Sequence, residues 1–235
     1  MLVLGIESAS DQCGCALAAT GGVIAEARLA LPRRHAEALA PQMRFVCEQA
    51  GVALGDVDVV AVDCGPGLFT GLRAGLATAK ATAAALGIGV VPVGSLEALA
   101  DGAAAVAQPG ETVLSVLDAR RGEVFWAWYR LAAEPTSRLV QLSAPQVGPP
   151  ADLLPALTSP GDQPSGRTIV VGDGALRYAD QLEAGNVVLA DPELRFPSPA
   201  AVALLGRERA LTGGTVAPEQ VDALYLRSPD AKPQP

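Results

Sequence analysis

Apolar positions in the first hundred residues recur with two different periods, and the alternation between these periods predicts an α/β layer. Short apolar runs bounded by turn residues indicate strands, whereas apolar residues repeated every three or four positions indicate helices. The predicted strands are Leu2–Glu7, Cys13–Ala19, Val23–Leu31, Val57–Asp63 and Gly89–Val93, and the predicted helices are Ala36–Ala50 and Thr70–Leu86. Gly51 is expected to end the first helix, because glycine readily adopts the left-handed conformation that closes a helix.

The rest of the chain repeats this rhythm and predicts a second layer of the same make. Its predicted strands are Thr112–Leu117, Glu123–Leu131, Thr168–Val171 and Val187–Ala190, and its predicted helices are Ser95–Ala107, Asp152–Leu157, Ala175–Glu183 and Ser198–Leu211. Ser95 and Ser198 are expected to cap the helices that they begin, because a serine side chain accepts a hydrogen bond from the first turn. We therefore predict duplicated α/β subdomains at residues 1–100 and 101–212 and a C-terminal segment at 213–235, with a ligand site in the cleft between the subdomains.

Composition and charge limit what the chain can do alone. Its 235 residues are half apolar and carry a net charge of −8, and the lysines and arginines are scattered along the sequence. A protein that grips nucleic acid by itself usually shows a basic footprint, so any contact with RNA is expected to come through a partner. No apolar run reaches the ~18 residues that span a bilayer, and we expect a cytoplasmic protein without a membrane contact.

The cysteines and the single histidine are a weak basis for a metal site. Cys13 and Cys15 lie two positions apart in a predicted strand, so both thiols point to one face and pack as small apolar groups. A zinc site would need further soft ligands close by, and we predict none.

Residues 65–75 form a glycine-rich turn between a predicted strand and a predicted helix. Such a turn leaves backbone N–H groups free at the positive end of a helix, which is how proteins bind anions. The spacing of Gly65, Gly67 and Gly71 nevertheless matches neither the P-loop nor the dinucleotide fingerprint, and the chain has no Gly-Lys pair. The loop therefore has a role other than those two.

The predicted helix after this loop is built almost entirely of small residues. Gly71, Gly75, Ala79 and Ala83 recur at four-residue spacing, which lets a neighbouring element approach closely. That neighbour is either the sheet of the same domain or a helix of a partner, and we favour the partner. The predicted interface uses this helix and the preceding one, and it comprises His35, Leu39, Met43, Phe69, Thr70, Gly71, Arg73, Gly75, Thr78, Ala79 and Thr82.

Two of these residues have an ordinary interpretation as well. Arg73 lies in the first turn of its helix, where the helix dipole disfavours a cation, so it binds a carboxylate across an interface or forms a surface ion pair. His35 has no nucleophile partner near it in the sequence, and we expect it to start a helix at the subunit surface.

Three blocks match a known family in order and spacing. They are Gly5-Ile6-Glu7-Ser8-Ala9-Ser10, the loop Gly65-Pro66-Gly67-Leu68-Phe69-Thr70-Gly71-Leu72-Arg73, and Leu117-Asp118-Ala119-Arg120-Arg121-Gly122-Glu123-Val124-Phe125, and Tyr225-Leu226-Arg227 fits as well. With these blocks the chain resembles the bacterial TsaB (YeaZ) family over nearly its whole length. The resemblance implies an actin-like (ASKHA, RNase H-like) α/β fold of two subdomains, with mixed sheets flanked by helices.

The resemblance also implies a role as a partner protein. Members of the family help to make the threonylcarbamoyladenosine (t6A) of tRNA as catalytically inert paralogues of TsaD, the transferase subunit. They pair with TsaD, and the ATPase TsaE joins the complex. We therefore expect a non-catalytic scaffold that meets tRNA only through the complex, and the isolated chain is either a monomer or a homodimer.

The expected lack of catalysis can be checked at the positions of this chain that correspond to the metal ligands of TsaD. TsaD holds a metal with a His-x-x-x-His pair, and the resemblance aligns these positions with Ser95 and Leu99. A hydroxyl and an isobutyl group cannot replace two imidazoles as metal ligands, and His35 lies too far along the chain to make a pair. We expect no catalytic residue and no metal site.

Five residues are candidates for contact with a nucleotide or a partner, namely Glu7, Ser8, Asp118, Arg120 and Arg121. In kinases of the same superfamily the acid that ends the first strand helps to place Mg-nucleotide, and Glu7 either keeps part of that role or caps the N–H groups of its own turn. The other charged residues of this group form ion pairs within a hairpin turn or contact the partner or the ATPase. The alternative function is an autonomous small-molecule kinase or ATPase of this superfamily. For the scaffold, we expect no cofactor beyond weakly bound or interface-bound ATP or ADP.

Overall fold

The computed structural model describes residues 1–132, 139–153, 167–182 and 187–227. The first of its two sheets contains five strands. They are β1 (Val3–Glu7), β2 (Cys13–Ala19), β3 (Gly22–Leu29), β4 (Val59–Asp63) and β5 (Gly89–Val93). The strand order is β3-β2-β1-β4-β5. Because β1 is antiparallel to β2 and parallel to β4, Glu7 and Asp63 end neighbouring strands at the same edge of the sheet.

The second sheet contains six strands. They are β6 (Thr112–Arg120), β7 (Glu123–Leu131), β8 (Leu139–Gln141), β9 (Gln146–Gly148), β10 (Thr168–Val171) and β11 (Val187–Leu189). The order is β11-β10-β6-β7-β8, and β9 pairs with another part of β7. The antiparallel hairpin of β6 and β7 places the turn at Arg120 and Arg121 beside the first sheet's loops, where Arg120 contacts Asp11.

Five α-helices cover the sheets in the described part of the chain. They are α1 (His35–Ala50), α2 (Phe69–Leu86), α3 (Ser95–Gly102), α4 (Asp173–Arg177) and α5 (Pro199–Leu211). Gly51 follows α1 with φ 67°, which confirms it as the residue that ends this helix. None of the described helices is both long enough and apolar enough to cross a bilayer.

The first sheet is covered on both faces. Apolar residues of α1 and α2 pack with Leu4 and Ile6 on one face, together with the free and buried thiols of Cys13 and Cys15, which pack in this core as predicted. On the other face lies α5, whose backbone comes so close that a Cβ added to Gly5 would stand 2.6 Å from the Ala203 nitrogen. Both faces of β1 are therefore buried, as expected for a strand that reads as a continuous apolar run.

The packing of two helices does not follow their order along the chain. α5 belongs by sequence to the predicted second subdomain, yet it packs on β1, β2 and β4 of the first sheet. α3 runs across the predicted boundary at residue 100, and its residues Leu96 and Leu99 pack in the core of the second sheet. The chain thus crosses twice between two lobes. We define the first lobe as the first sheet with α1, α2 and α5, and the second lobe as the second sheet with α3 and α4.

The C-terminal segment ties the two lobes together. Val216 pairs with Val90 at the edge of β5, and the Leu224 N–H donates to the Cys64 carbonyl at 2.7 Å. Leu226 then packs against the core of the second lobe, and Arg227 forms an ion pair with Glu123. We call residues 221–227 the C-terminal strap.

The α/β architecture of two mixed sheets flanked by helices confirms the predicted fold class, and the predicted strand Gly89–Val93 matches β5. Ser198 is confirmed as an N-cap, because its Oγ accepts a hydrogen bond from the Ala201 N–H at 3.0 Å. The prediction that Ser95 caps α3 is wrong. Gly94 is the N-cap residue, and the Ser95 hydroxyl donates instead to Asp63 Oδ1 at 2.5 Å.

Several other predicted elements differ at their ends. The helix predicted at 95–107 ends at Gly102 and continues as a 3₁₀ turn, and the helix predicted at 175–183 is α4 followed by a second 3₁₀ turn. Residues 154–157 of another predicted helix lie outside the described residues. The short strands β8 and β9 are missed by the sequence pattern, because three residues are too few to show a period.

Candidate functional site

The glycine loop after β4 is held in place by its neighbours on several sides. The Leu68 N–H donates to the Ala9 carbonyl at 2.7 Å, and the Ser95 N–H donates to the Gly65 carbonyl at 2.9 Å. A Cβ on Gly67 would stand 2.3 Å from the Ala9 oxygen. Glycine is therefore required here for close approach of two loops, which explains a spacing that matches no phosphate-binding motif.

The stripe of small residues on α2 is buried against the chain's own first sheet. Gly71, Gly75 and Ala79 are fully covered, and a Cβ on Gly71 would stand 2.1 Å from the Ser8 carbonyl oxygen. Ser8 Oγ in turn donates to the Gly71 carbonyl at 2.9 Å and lies 2.1 Å from the Cβ position of Gly75. The interpretation as packing within the domain therefore accounts for this stripe.

Part of the predicted interface is accordingly below the surface. Leu39 and Met43 of α1 are 0% and 6% exposed and lie in the same core as Ala79. Thr78 and Thr82 are half-buried, and the Thr78 hydroxyl donates to the Ala74 carbonyl of its own helix at 2.8 Å. A partner that docks on α2 would meet other positions first.

The opposite side of α2 presents a continuous accessible strip. The residues of this strip are exposed to solvent and lie on one side of the helix, and they are Phe69, Thr70, Arg73, Ala77 and Ala81. We call these residues the exposed α2 flank. The Arg73 guanidinium lies 3.8 Å from the centroid of the Phe69 ring, which is a cation–π geometry. Arg73 is thus occupied by an aromatic neighbour, and no ion pair of Arg73 is found among the described residues.

The C-terminal strap adds an aromatic side chain to this flank. The Tyr225 ring lies 5.3 Å from the Phe69 ring, and Arg73 Nε donates to the Tyr225 hydroxyl at 3.4 Å. Phe69 and Tyr225 remain 41% and 43% exposed. Tyr225 is absent from the interface predicted above. The sequence block at 225–227 was a signal for it, but nothing in the sequence places Tyr225 beside a residue some 150 positions earlier.

His35 does not lie at the subunit surface, and the prediction that placed it there is wrong. It is the first residue of α1, as expected, but it is only 6% exposed, and its Nε2 lies 2.8 Å from the Ser10 carbonyl oxygen. The imidazole can satisfy this carbonyl because the loop at residues 8–12 folds over the start of α1. His35 therefore anchors a loop.

A cleft of about 770 Å³ lies beside His35, between the starts of α1 and α2 and the tip of the β6–β7 hairpin. Its walls include Arg33, Asp11 and Arg120. Neither helix has a side-chain cap at its start, so first-turn N–H groups of both helices are available near the cleft. The two helix starts and Arg33 favour an anion, whereas Arg120 is already paired with Asp11 on the same wall.

The tip of the β6–β7 hairpin is a network of ion pairs. Arg120 contacts Asp118 at 3.0 Å and, across the two lobes, Asp11 at 2.6 Å, and Arg177 contacts Asp118 at 3.1 Å. Ion pairing within the turn is thus confirmed, whereas contact of these residues with a partner stays a prediction. Asp11 is a member that the sequence did not indicate, because its role depends on the other lobe.

The same hairpin tip has an unusual backbone conformation and a buried acid beside it. Arg120 and Arg121 have φ angles of 64° and 58°, which is unusual for residues with side chains and is held by the ion pairs and the tight turn. The Asp118 N–H donates to Asp173 Oδ1 at 2.9 Å. Burial raises the pKa of Asp173 to about 6.

Glu7 and Ser8 lie behind the loops, not on the cleft wall. Both are 0% exposed, and Glu7 Oε1 accepts a hydrogen bond from the Ala9 N–H at 2.8 Å. The expected capping role of Glu7 is confirmed by this bond. Asp63, which the sequence analysis did not single out, ends the neighbouring strand and holds the Gly65 N–H and the Ser95 hydroxyl with Oδ1.

The positions aligned above with the histidine pair of TsaD have other duties here. The Ser95 hydroxyl is engaged by Asp63, and Leu99 is 1% exposed and belongs to the core of the second lobe. Both side chains therefore serve the packing between α3 and its surroundings.

Comparisons with known proteins connect this geometry to a family. A family model described as TsaD, tRNA N6-adenosine threonylcarbamoyltransferase, matches residues 13–162. The tRNA threonylcarbamoyladenosine biosynthesis protein TsaB of Escherichia coli is 30% identical over 235 residues, which cover 97% of this chain and 95% of that protein. The chain belongs to the TsaB (YeaZ) family.

A solved structure supports the same assignment. YeaZ from Pseudomonas aeruginosa superposes with a TM-score of 0.83 at 29% identity, covering 96% of this chain and 99% of that one. The ethanolamine utilization protein EutJ from Carboxydothermus hydrogenoformans, at a TM-score of 0.54 and 14% identity, shares the fold alone. An uncharacterized protein of Mycobacterium leprae is 35% identical over 99% of this chain, which spans 56% of that protein's length. Membership of the TsaB family supports involvement in t6A biosynthesis.

Proposed function

We propose that this chain is the non-catalytic partner of a TsaD-type transferase in the synthesis of t6A on tRNA, and that it docks through the exposed α2 flank. The observation that carries the proposal is the exposed cluster of Phe69, Arg73 and Tyr225, which two distant parts of the chain build at the start of α2. Aromatic and arginine side chains are the residues that most often dominate protein interfaces.

The small residues of the flank favour a helix of the partner as the contacting element. Ala77 and Ala81 are exposed one and two turns beyond Arg73, so a partner backbone can approach α2 closely there. The aromatic cluster at one end then fixes the position of the partner along α2. In the isolated chain the same surface can pair two copies around a two-fold axis.

The non-catalytic part of the proposal is supported by Ser95 and Leu99. One is committed to Asp63 and the other to the core, so neither position offers a ligand to a metal. In this proposal the TsaD-type enzyme supplies the chemistry, a TsaE-type ATPase joins the pair, tRNA is met through the complex, and the site of action is the cytoplasm.

The test is reconstitution of t6A formation from purified components. A TsaD-type enzyme with its ATPase, activated substrate and tRNA is assayed with and without this chain. We expect t6A only when the chain is present, and no t6A from the chain without the TsaD-type enzyme. Full activity in its absence would end the proposal.

A second candidate, an autonomous kinase or ATPase, is favoured by one observation, the cleft between the starts of α1 and α2. Against it, Glu7 is completely buried and already holds the Ala9 N–H, so it cannot reach Mg-nucleotide in the cleft without a change of the loop. Calorimetry with ATP and Mg²⁺, followed by an assay of turnover, separates the two. Binding without turnover fits a nucleotide held as a structural element, whereas turnover fits the kinase.

A further inference from the structure

Two carboxyl groups lie on neighbouring strands inside the first lobe, and no ion pair of either with a cation is found among the described residues. Glu7 ends β1 and Asp63 ends β4, and the parallel register that joins Ile6 to Val62 places them side by side on the same face of the sheet. Both residues are 0% exposed.

One oxygen of each carboxyl group is engaged by neighbouring donors. Glu7 Oε1 accepts from the Ala9 N–H, with the Gln12 side chain and the Ser10 backbone as further donors to this carboxyl group, and Asp63 Oδ1 accepts from the Gly65 N–H and the Ser95 hydroxyl. Glu7 Oε2 and Asp63 Oδ2 are buried and have no hydrogen-bond partner in the described part of the chain. A buried polar oxygen without a partner is costly, so two of them on adjacent acids require an explanation.

The groups around the pair do not neutralise it. Cys13 of β2, Cys64 after β4 and Glu97 of α3 can only add negative charge, and the single nearby cation of α5, Arg209, is held by both oxygens of Glu97 at 2.5 Å. His35 of α1 faces the Ser10 carbonyl. Two charged carboxylates at this position would therefore repel each other in a medium of low dielectric.

We propose that Glu7 and Asp63 share one proton at neutral pH and form a buried switch at the base of the two loops, which opens when the proton leaves. A proton between Oε2 and Oδ2 gives both unpartnered oxygens a hydrogen bond and halves the buried charge. The loops concerned are residues 8–11 and 65–68, which the pair holds through the Ala9 and Gly65 amides.

The electrostatics of the pair agree with this arrangement. Burial, followed by the charge of Asp63, raises the pKa of Glu7 well above its ordinary value, and burial raises the pKa of Asp63 to about 7. Because the folded chain then binds more protons than the unfolded chain, its stability falls as the pH rises from the ordinary carboxyl range through about 7. Each proton kept only in the folded state changes the folding equilibrium constant about tenfold per pH unit.

Amide NMR tests the proposal on the wild-type chain directly. The amide protons of Ala9 and Gly65 report one acid each, and we expect them to titrate together with a common midpoint well above the ordinary carboxyl range. Separate titrations in the ordinary range near pH 4 would overturn the proposal. So would a shift of both amides on addition of Mg²⁺ at neutral pH, because the pair would then be a cation site.

Variants give an independent measurement. In Glu7→Gln the amide can donate to Asp63 Oδ2 in place of the shared proton, so the fall in urea midpoint between about pH 5 and about pH 8 should become smaller, and the remainder belongs to other buried acids such as Asp173. Asp63→Asn is the reciprocal variant. Glu37→Gln, an exposed acid on α1, serves as the control that leaves the pair's contribution unchanged. A slope as steep in both Glu7→Gln and Asp63→Asn as in the wild-type chain would contradict the proposal.

Discussion

The two sides of α2 are built from the same small residues for different reasons. On the buried side, Gly71 and Gly75 are required by the chain itself, because Ser8 occupies the space that a side chain would need. On the exposed side, Ala77 and Ala81 are accessible to solvent, so burial within this chain does not explain their small size. A helix composed of small residues thus has one side that is constrained by packing within the chain and one side that is open to a partner.

The buried side should respond most strongly to substitution. Gly71→Ala forces a Cβ against the Ser8 backbone oxygen, and we expect a loss of about 2 to 3 kcal/mol in the free energy of unfolding. Urea denaturation measures this loss. Ala77→Ser on the exposed side is the matched control, with an expected change within about 0.5 kcal/mol. Equal effects at the two positions would remove the distinction between the sides.

Gly75→Leu illustrates the same point for the design of docking variants. From the sequence alone, a bulky residue at this position appears suited to blocking a partner without disturbing the fold. In the structure its side chain would collide with Ser8 Oγ, so this variant perturbs the lobe itself. The exposed side has to be probed at exposed positions.

Ala77→Arg is the variant that tests whether the exposed α2 flank binds the partner. A long charged side chain in the middle of the flank should weaken capture of a TsaD-type partner by about 30-fold or more, the effect of losing a central contact of about 2 kcal/mol. Thermal unfolding of the isolated chain should be unchanged. Titration calorimetry against the partner gives the affinity. Undiminished binding would show that the partner docks elsewhere.

Variants of Tyr225 test the contribution of the aromatic ring at the end of the flank. Tyr225→Ala removes the ring that packs on Phe69 and should cost about 1 kcal/mol of stability, whereas Tyr225→Phe keeps the ring and should cost less. Chemical denaturation of both variants is the measurement. If the strap positions the flank, Tyr225→Ala also weakens partner capture and Tyr225→Phe preserves most of it.

The smallest effect is expected at the ion pair between the lobes. Asp11→Asn removes one partner of Arg120, which is still held by Asp118 and is itself 42% exposed. An exposed pair of this kind contributes about 0 to 1 kcal/mol and loses its effect in high salt. Urea denaturation at low and high salt checks both statements. A large, salt-independent loss would mean that this contact holds the lobes together.

Much of the fold could be predicted from periodicity and capping residues. The strands β1, β2 and β5 and the helices α1 and α2 agree with prediction because each carries a long pattern of buried positions. The sheet on which each helix packs could not be predicted in the same way. α5 is a well-marked helix in the sequence, but its choice of the first sheet depends on the glycines and alanines that face it across the core.

The site was less predictable, since its contacts join distant parts of the chain. Asp11 meets Arg120 across 109 positions, and Arg73 meets Tyr225 across 152. Ser95 looked like a helix cap because serine at a helix start usually is one, and only the position of Asp63 shows that its hydroxyl is used elsewhere. Local residue types predict local roles, whereas these roles are set by a second lobe.

Formation of t6A in a reconstituted system that contains either the wild-type chain or Ala77→Arg tests the docking role most directly. The account predicts t6A with the wild-type chain, and background levels both without the chain and with a folded Ala77→Arg variant. Equal t6A yields in all three reactions, or t6A made by this chain in the absence of the TsaD-type enzyme, would contradict it.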